Sequence, residues 1–150
     1  MRRRLQNGFT LIELVIVLAI IGILLSIAIP VYQKSIEHAR ESALKQDLAT
    51  IRSAIDRYKA AADRGAFRTK AGSENYPPDL QTLVDGVDIN GKKLRFLRKV
   101  PTDPMTGNTE WGQRSVQDDP KSETWGGQDV FDVFTKSNGT GLNGTQYKDW

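Results

Sequence analysis

From Leu14 to Gln33 the chain carries no charged residue. About 20 residues rising about 1.5 Å each cover about 30 Å, the thickness of a bilayer's hydrocarbon core. A run of this kind cannot be left against water, so it dictates a membrane span or an equivalent apolar environment. One carboxylate, Glu13, is set at its start. A charge near the bilayer centre costs roughly 2.5–3.5 kcal/mol on insertion scales, which makes an intramembrane acid a functional candidate in need of a partner. The competing reading is a helix-end acid snorkelling to the headgroups. Arg2, Arg3 and Arg4 precede the run, and Lys34 with mixed charges follows it. The positive-inside rule then puts the amino terminus in the cytoplasm and the body beyond the membrane. A cleavable secretory signal would have a shorter apolar core ending in small residues, of which Ser26 and Ala28 are a poor version. Gly22 and Pro30 interrupt the helical pattern, because proline removes a hydrogen bond and clashes one turn back. A kink or helix break is expected there.

Outside this segment the chain has room for one domain, since single domains commonly run about 100–150 residues. Its formal charge is +3, and Arg2–Arg4 account for all of it: 21 Lys and Arg less those three leaves 18, against 18 Asp and Glu. Net basicity therefore supplies no argument for nucleic-acid binding. Cysteine is absent, which excludes disulfides, thiolate metal sites and a cysteine nucleophile. His38 is the only histidine and has no triad partner, and the glycine-rich loops lack the Lys-Ser/Thr of a phosphate-binding loop. Asn138-Gly139-Thr140 and Asn143-Gly144-Thr145 fit the glycosylation pattern but read better as turns. No enzyme chemistry is expected.

Past Pro30 the helical pattern runs to about Ala62. Leu44, Leu48, Ile51, Ile55, Tyr58 and Ala62 form one apolar face, and Glu41, Lys45, Asp47, Arg52, Asp56, Arg57 and Lys59 a solvated one. So short a stripe predicts docking onto the chain's own domain rather than a free coiled coil. Residues 64–75 read as a loop, and Tyr76-Pro77-Pro78-Asp79 leads into a short helix bearing Leu80, Leu83 and Val84 that ends near Gly86. Asn90-Gly91 and the stretch 100–104 are turns. Thr109–Val116 and Asp129–Phe134 are predicted antiparallel strands, followed by a glycine-rich loop over 137–145 with Tyr147 and Trp150 as its anchors.

The stretch Gly8-Phe9-Thr10-Leu11-Ile12-Glu13-Leu14 resembles the processing site of type IV prepilins and type II secretion pseudopilins. The resemblance implies a leader over 1–8, cut between Gly8 and Phe9 by a membrane aspartic peptidase, the prepilin peptidase, with N-methylation of Phe9. It further implies that Glu13 meets the new Phe9 amine of a neighbouring subunit and sets axial register. Two charges in an apolar filament core then offset one another. The Leu14–Ile29 helix would form that core, unwinding between Gly22 and Pro30. The carboxy-terminal half (YPPDLQTLV, LRKVPTDPMTGN, DVFDVFTKSNG and a final tryptophan) is similar to the major, G-type pseudopilins.

The implied fold is α+β and type IV pilin-like. A transmembrane or filament-core helix over 9–33 continues into an amphipathic half over 34–63, packed on a small antiparallel sheet in a loop-rich periplasmic region, 64–150. The implied function is structural. The chain, anchored by one pass in a bacterial inner membrane, would polymerise into a helical homopolymer, a pseudopilus driving folded proteins across the outer membrane. Other pseudopilins, an inner-membrane platform protein and an assembly ATPase would be partners. The alternative is a type IV pilin of a surface filament for adhesion, motility or DNA uptake. Many such pilins close a carboxy-terminal loop with a disulfide, which this chain cannot form. DNA contact would use Lys92, Lys93, Arg95, Arg98 and Lys99, for which a solvated face is the better-supported reading. The family's major pseudopilin often binds calcium in its last loop through hard oxygen ligands. The candidates here are Asp132, Asn138, Asn143 and Asp149, with Thr140 and Thr145 beside them. Asn138 and Gln146 stand where acids are common, so hydrogen-bonded Asn-Gly turns are the better-supported reading.

Overall fold

A computed structural model of the chain describes residues 8–150. The arginine cluster Arg2–Arg4 and the leader up to Asn7 lie outside the described residues. Helix α1 spans Leu11–Asp63. Its start is set locally, because Thr10 stands at the N-cap and its hydroxyl accepts from Glu13 N–H at 3.3 Å. Such a bond satisfies one of the donors that a helix start leaves free. Glu13 thus sits at the third helical position, where an acid is also favoured by the helix dipole. The chain divides into two compact units, one ending at His38 and one running over Ala39–Trp150.

In the first unit every described residue is exposed, including the apolar series from Leu11 to Ile36 and also His38. The helix continues through Gly22 and Pro30 without interruption. The break expected from Gly22 and Pro30 is therefore not present in the single chain, while the unwinding implied by the resemblance belongs to the packed filament. Pro30 has no N–H, so the Ser26 carbonyl one turn back lacks its helical donor, while the Ser26 hydroxyl donates to the Ile23 carbonyl at 2.7 Å.

The second unit forms around the amphipathic part of α1. Leu44, Leu48, Ile51, Ala54, Ile55, Tyr58, Ala61 and Ala62 are buried at helical spacing, the pattern of a helix docked on its own domain. They meet Leu80, Leu83, Phe96, Leu97, Trp111, Val130, Val133 and Tyr147 in one core. Tyr58 packs edge-on against Phe67 and Phe96, with centroids 4.9 and 5.3 Å away. Helix α2, Leu80–Asp85, opens on Asp79, whose carboxylate accepts from Thr82 N–H at 2.6 Å, and closes on Gly86.

Four short strands follow: β1 (Val87–Ile89), β2 (Lys92–Leu94), β3 (Gly112–Arg114) and β4 (Asp132–Phe134). They make two antiparallel pairs, with Val87 opposite Leu94 and Gly112 opposite Phe134. The expected turn at Asn90-Gly91 is the tip of the β1–β2 hairpin. Both of its residues have positive φ, 53° and 79°, as a two-residue hairpin turn of the primed type demands. The flanking strands go beyond the expected turn: Val87-Asp88-Ile89 alternates, with its apolar residues half-buried, but is too short a run to read as a strand, and Lys92–Leu94 is exposed throughout. Conversely, β3 and β4 are shorter than the predicted 109–116 and 129–134. The Asn108 side chain captures Glu110 N–H at 2.9 Å, and the Asp129 side chain captures Val116 N–H at 3.2 Å. Side-chain acceptors thereby take donors that a longer ladder would use. A final 3₁₀ turn covers Tyr147–Asp149.

Candidate functional site

The amino-terminal site is built on the first turn of α1. Gly8 has open space around it, and Phe9 is 79% exposed. Both precede the N-cap, so the peptide between them lies outside the helix. Glu13 is exposed and has no ion pair among the described residues. From Leu14 to Val31 the exposed surface is almost wholly aliphatic, and the helix is long and apolar enough to cross a membrane. An exposed apolar surface of this extent marks an interaction or membrane site. An unpaired carboxylate at its edge has a chemical reason to seek a cation once that surface is covered.

The second candidate is the last loop, and its residues do not assemble as a calcium site. Asp132 is engaged by Arg52 at 2.7 Å and lies 3.7 Å from Arg114. Asn143 accepts from the N–H and hydroxyl of Thr145 at 3.0 and 2.7 Å. Asn138 and Asp149 are exposed, the latter in the terminal 3₁₀ turn. No group of three His, Cys, Asp or Glu side chains placed to hold a metal ion occurs among the described residues. A hard divalent cation needs six to eight convergent oxygens, and these four residues do not fit one.

The loop is instead tied to α1. Arg52 donates to the Asp132 carboxylate, to the Val133 carbonyl at 3.1 Å and to the Trp150 carbonyl at 2.8 Å. Lys45 Nζ stands 4.4 Å from the Trp150 ring centroid, and Tyr147 packs edge-on against Trp150. Tyr147 and Trp150 are thus the anchors expected of them. Lys148 pairs with Glu123, which holds the ammonium above its ordinary range and the carboxyl below its own. Glu41 was expected on the solvated face of the helix but is buried, 8% exposed. Its carboxylate accepts from Leu142 N–H at 2.7 Å and from the Tyr147 hydroxyl at 3.1 Å. The one available signal was its position three residues before Leu44, in line with the apolar stripe.

The basic residues Lys92, Lys93, Arg95, Arg98 and Lys99 are all exposed. Arg95, Arg98 and Lys99 line a shallow depression with Arg57, whose guanidinium donates to the Phe96 carbonyl at 2.7 Å.

Comparison with known proteins agrees with the amino-terminal geometry. Residues 3–29 match the model of the prokaryotic N-terminal methylation motif. The type II secretion system core protein G of Pseudomonas aeruginosa is 34% identical over 110 residues, 69% of this chain and 71% of that protein. The protein of the same name from Klebsiella michiganensis is 30% identical over 113 residues, 72% and 74% of the two chains. The type IV major fimbrial protein FimA of Dichelobacter nodosus is 52% identical, but over 54 residues, 36% of this chain and 35% of its own. No solved structure matches. With an exposed apolar helix behind a methylation motif and core protein G similarity over two thirds of its length, the chain belongs to the pilin and pseudopilin family of structural, non-enzymatic proteins.

Proposed function

We propose that the chain is the major, G-type subunit of a type II secretion pseudopilus. The observation that carries this reading is the extent of similarity. It covers about 70% of both chains for two core protein G relatives, against little more than a third for FimA and, for the fimbrial protein EcpB of Eikenella corrodens, 61% of this chain and 50% of that one. That longer reach supports the secretion reading, and the absence of cysteine agrees with it. In this reading prepilin peptidase removes residues 1–8 at the exposed Gly8–Phe9 bond and Phe9 is methylated. Residues 9–33 anchor the chain once in the inner membrane with the amino terminus cytoplasmic, then enter the filament core. Residues 34–63 carry the spine onto the periplasmic region 64–150.

Glu13 supplies the register. In the apolar core its carboxylate is stable only beside an opposite charge, and the Phe9 amine of a neighbouring subunit is such a charge. The helix between Gly22 and Pro30 is where the spine can unwind as subunits pack, because the Ser26 carbonyl is already without its helical donor. The platform protein, the assembly ATPase and other pseudopilins are the partners this role requires.

The test is deletion of the gene, with mass spectrometry of the culture supernatant and scoring of surface fibres and motility. The proposal expects particular folded proteins to leave the medium and collect in the periplasm while motility survives. Unchanged secretion with lost fibres or twitching would replace it by the surface-pilin reading, which the FimA similarity favours.

A further inference from the structure

We propose that the last loop, residues 137–146, is a receptor for the chain's own Glu41 carboxylate, so that a side-chain anion closes it and calcium does not. The polarity of the loop carries the inference. A cation site turns oxygens inward, whereas this loop turns donors inward. Leu142 N–H and the Tyr147 hydroxyl converge on one atom, Glu41 Oε1, at 2.7 and 3.1 Å. Hydrogen bonds to an ionised acceptor are about twice as strong as neutral ones.

Several of the acceptors around the loop are already engaged. The Thr145, Gly141 and Gly139 carbonyls accept from Gly141, Gly144 and Tyr147 N–H at 2.8, 2.9 and 3.1 Å. Asn143 Oδ1 serves Thr145, and Thr145 Oγ1 accepts from Trp150 Nε1 at 2.6 Å. Asp132 belongs to Arg52.

Shape agrees with polarity. A Cβ on Gly141 would stand 2.6 Å from the Trp150 ring and 3.1 Å from Glu41 Oε1. The bare backbone is what lets the carboxylate reach the loop. Glu41, Lys45 and Arg52, along one stretch of α1, thus engage Leu142, Tyr147 and Trp150.

Limited trypsin digestion of the full chain in detergent tests this, read by mass spectrometry at Lys136, whose side chain is 52% exposed at the edge of the loop. Cleavage of the parent should proceed at the same rate in excess calcium chloride and in excess EGTA. Glu41→Ala should accelerate it by about tenfold or more, with cleavage at Arg68 and Lys70 unchanged. Glu41→Gln, which keeps the accepting oxygen, should fall between. Calcium protection of the parent by a comparable factor would overturn the proposal, as would a Glu41→Ala protein cut no faster than the parent. If Glu41→Ala is cut throughout, Tyr147→Phe decides: faster cleavage at Lys136 alone supports the receptor, and an unchanged rate refutes it.

Discussion

Asp129 is fully buried, and while its Oδ1 accepts from Val116 N–H, its Oδ2 has no partner among the described residues. Burial raises its pKa above the ordinary 3.8, the Val116 bond opposes the rise, and the charges of Glu74 and Asp118 add to it. A carboxyl whose folded pKa is raised stabilises the fold fully below pH 3.8. That contribution is lost as pH climbs through the raised value, because the unfolded chain then releases the proton more readily. Asp129→Asn keeps an oxygen for Val116 and removes the ionisation. The variant should match the parent near about pH 4 and gain on it as pH rises towards neutrality. Thermal melts across that range check this, and a constant gap between the two proteins would contradict it. Asp103 is equally buried but fully used. It accepts from Met105 N–H at 2.8 Å and from the Thr135 hydroxyl, and so organises the turn over 103–108.

At the scale of elements, the junction from α2 into β1 turns on Gly86. Its φ of 78° and ψ of 168° lie in a region that only glycine occupies readily. A Cβ there would come within 2.5 Å of the Leu94 carbonyl oxygen, a backbone atom that cannot step aside. Gly86→Ala should therefore destabilise the chain by about 2–3 kcal/mol. A denaturant midpoint within error of the parent would mean that the α2–β1 junction does not hold this backbone. The amphipathic half of α1, the short helix entered through Tyr76–Asp79 and the Asn90-Gly91 turn were legible in the sequence because each is written in residues one to four positions apart. The limits of β3 and β4 were not. They are decided by side chains of Asn108 and Asp129 that take ladder donors, and nothing in local composition distinguishes a capping Asp from a solvated one.

At the scale of the whole chain, the leader motif and the uncharged run carry the family assignment, and both are contiguous. The role of Glu41 was hidden for the opposite reason, since its partners Leu142 and Tyr147 are 101 and 106 residues away. An acid among Lys45, Asp47 and Arg52 reads as surface until the tail of the chain is laid over it. The same distance obscured the calcium question, because Asp132 looks like a free ligand until Arg52, 80 residues earlier, is found on it.

In the proposed filament the apolar helix carries one acid, Glu13, that must find a cation on its neighbour. The most direct measurement complements a deletion strain with the parent or Glu13→Val, scoring processing by intact mass, membrane content, filament yield and exported protein. The account predicts that Glu13→Val reaches the membrane at parental level, while filaments and export are restored by the parent alone. Full restoration by Glu13→Val would contradict it.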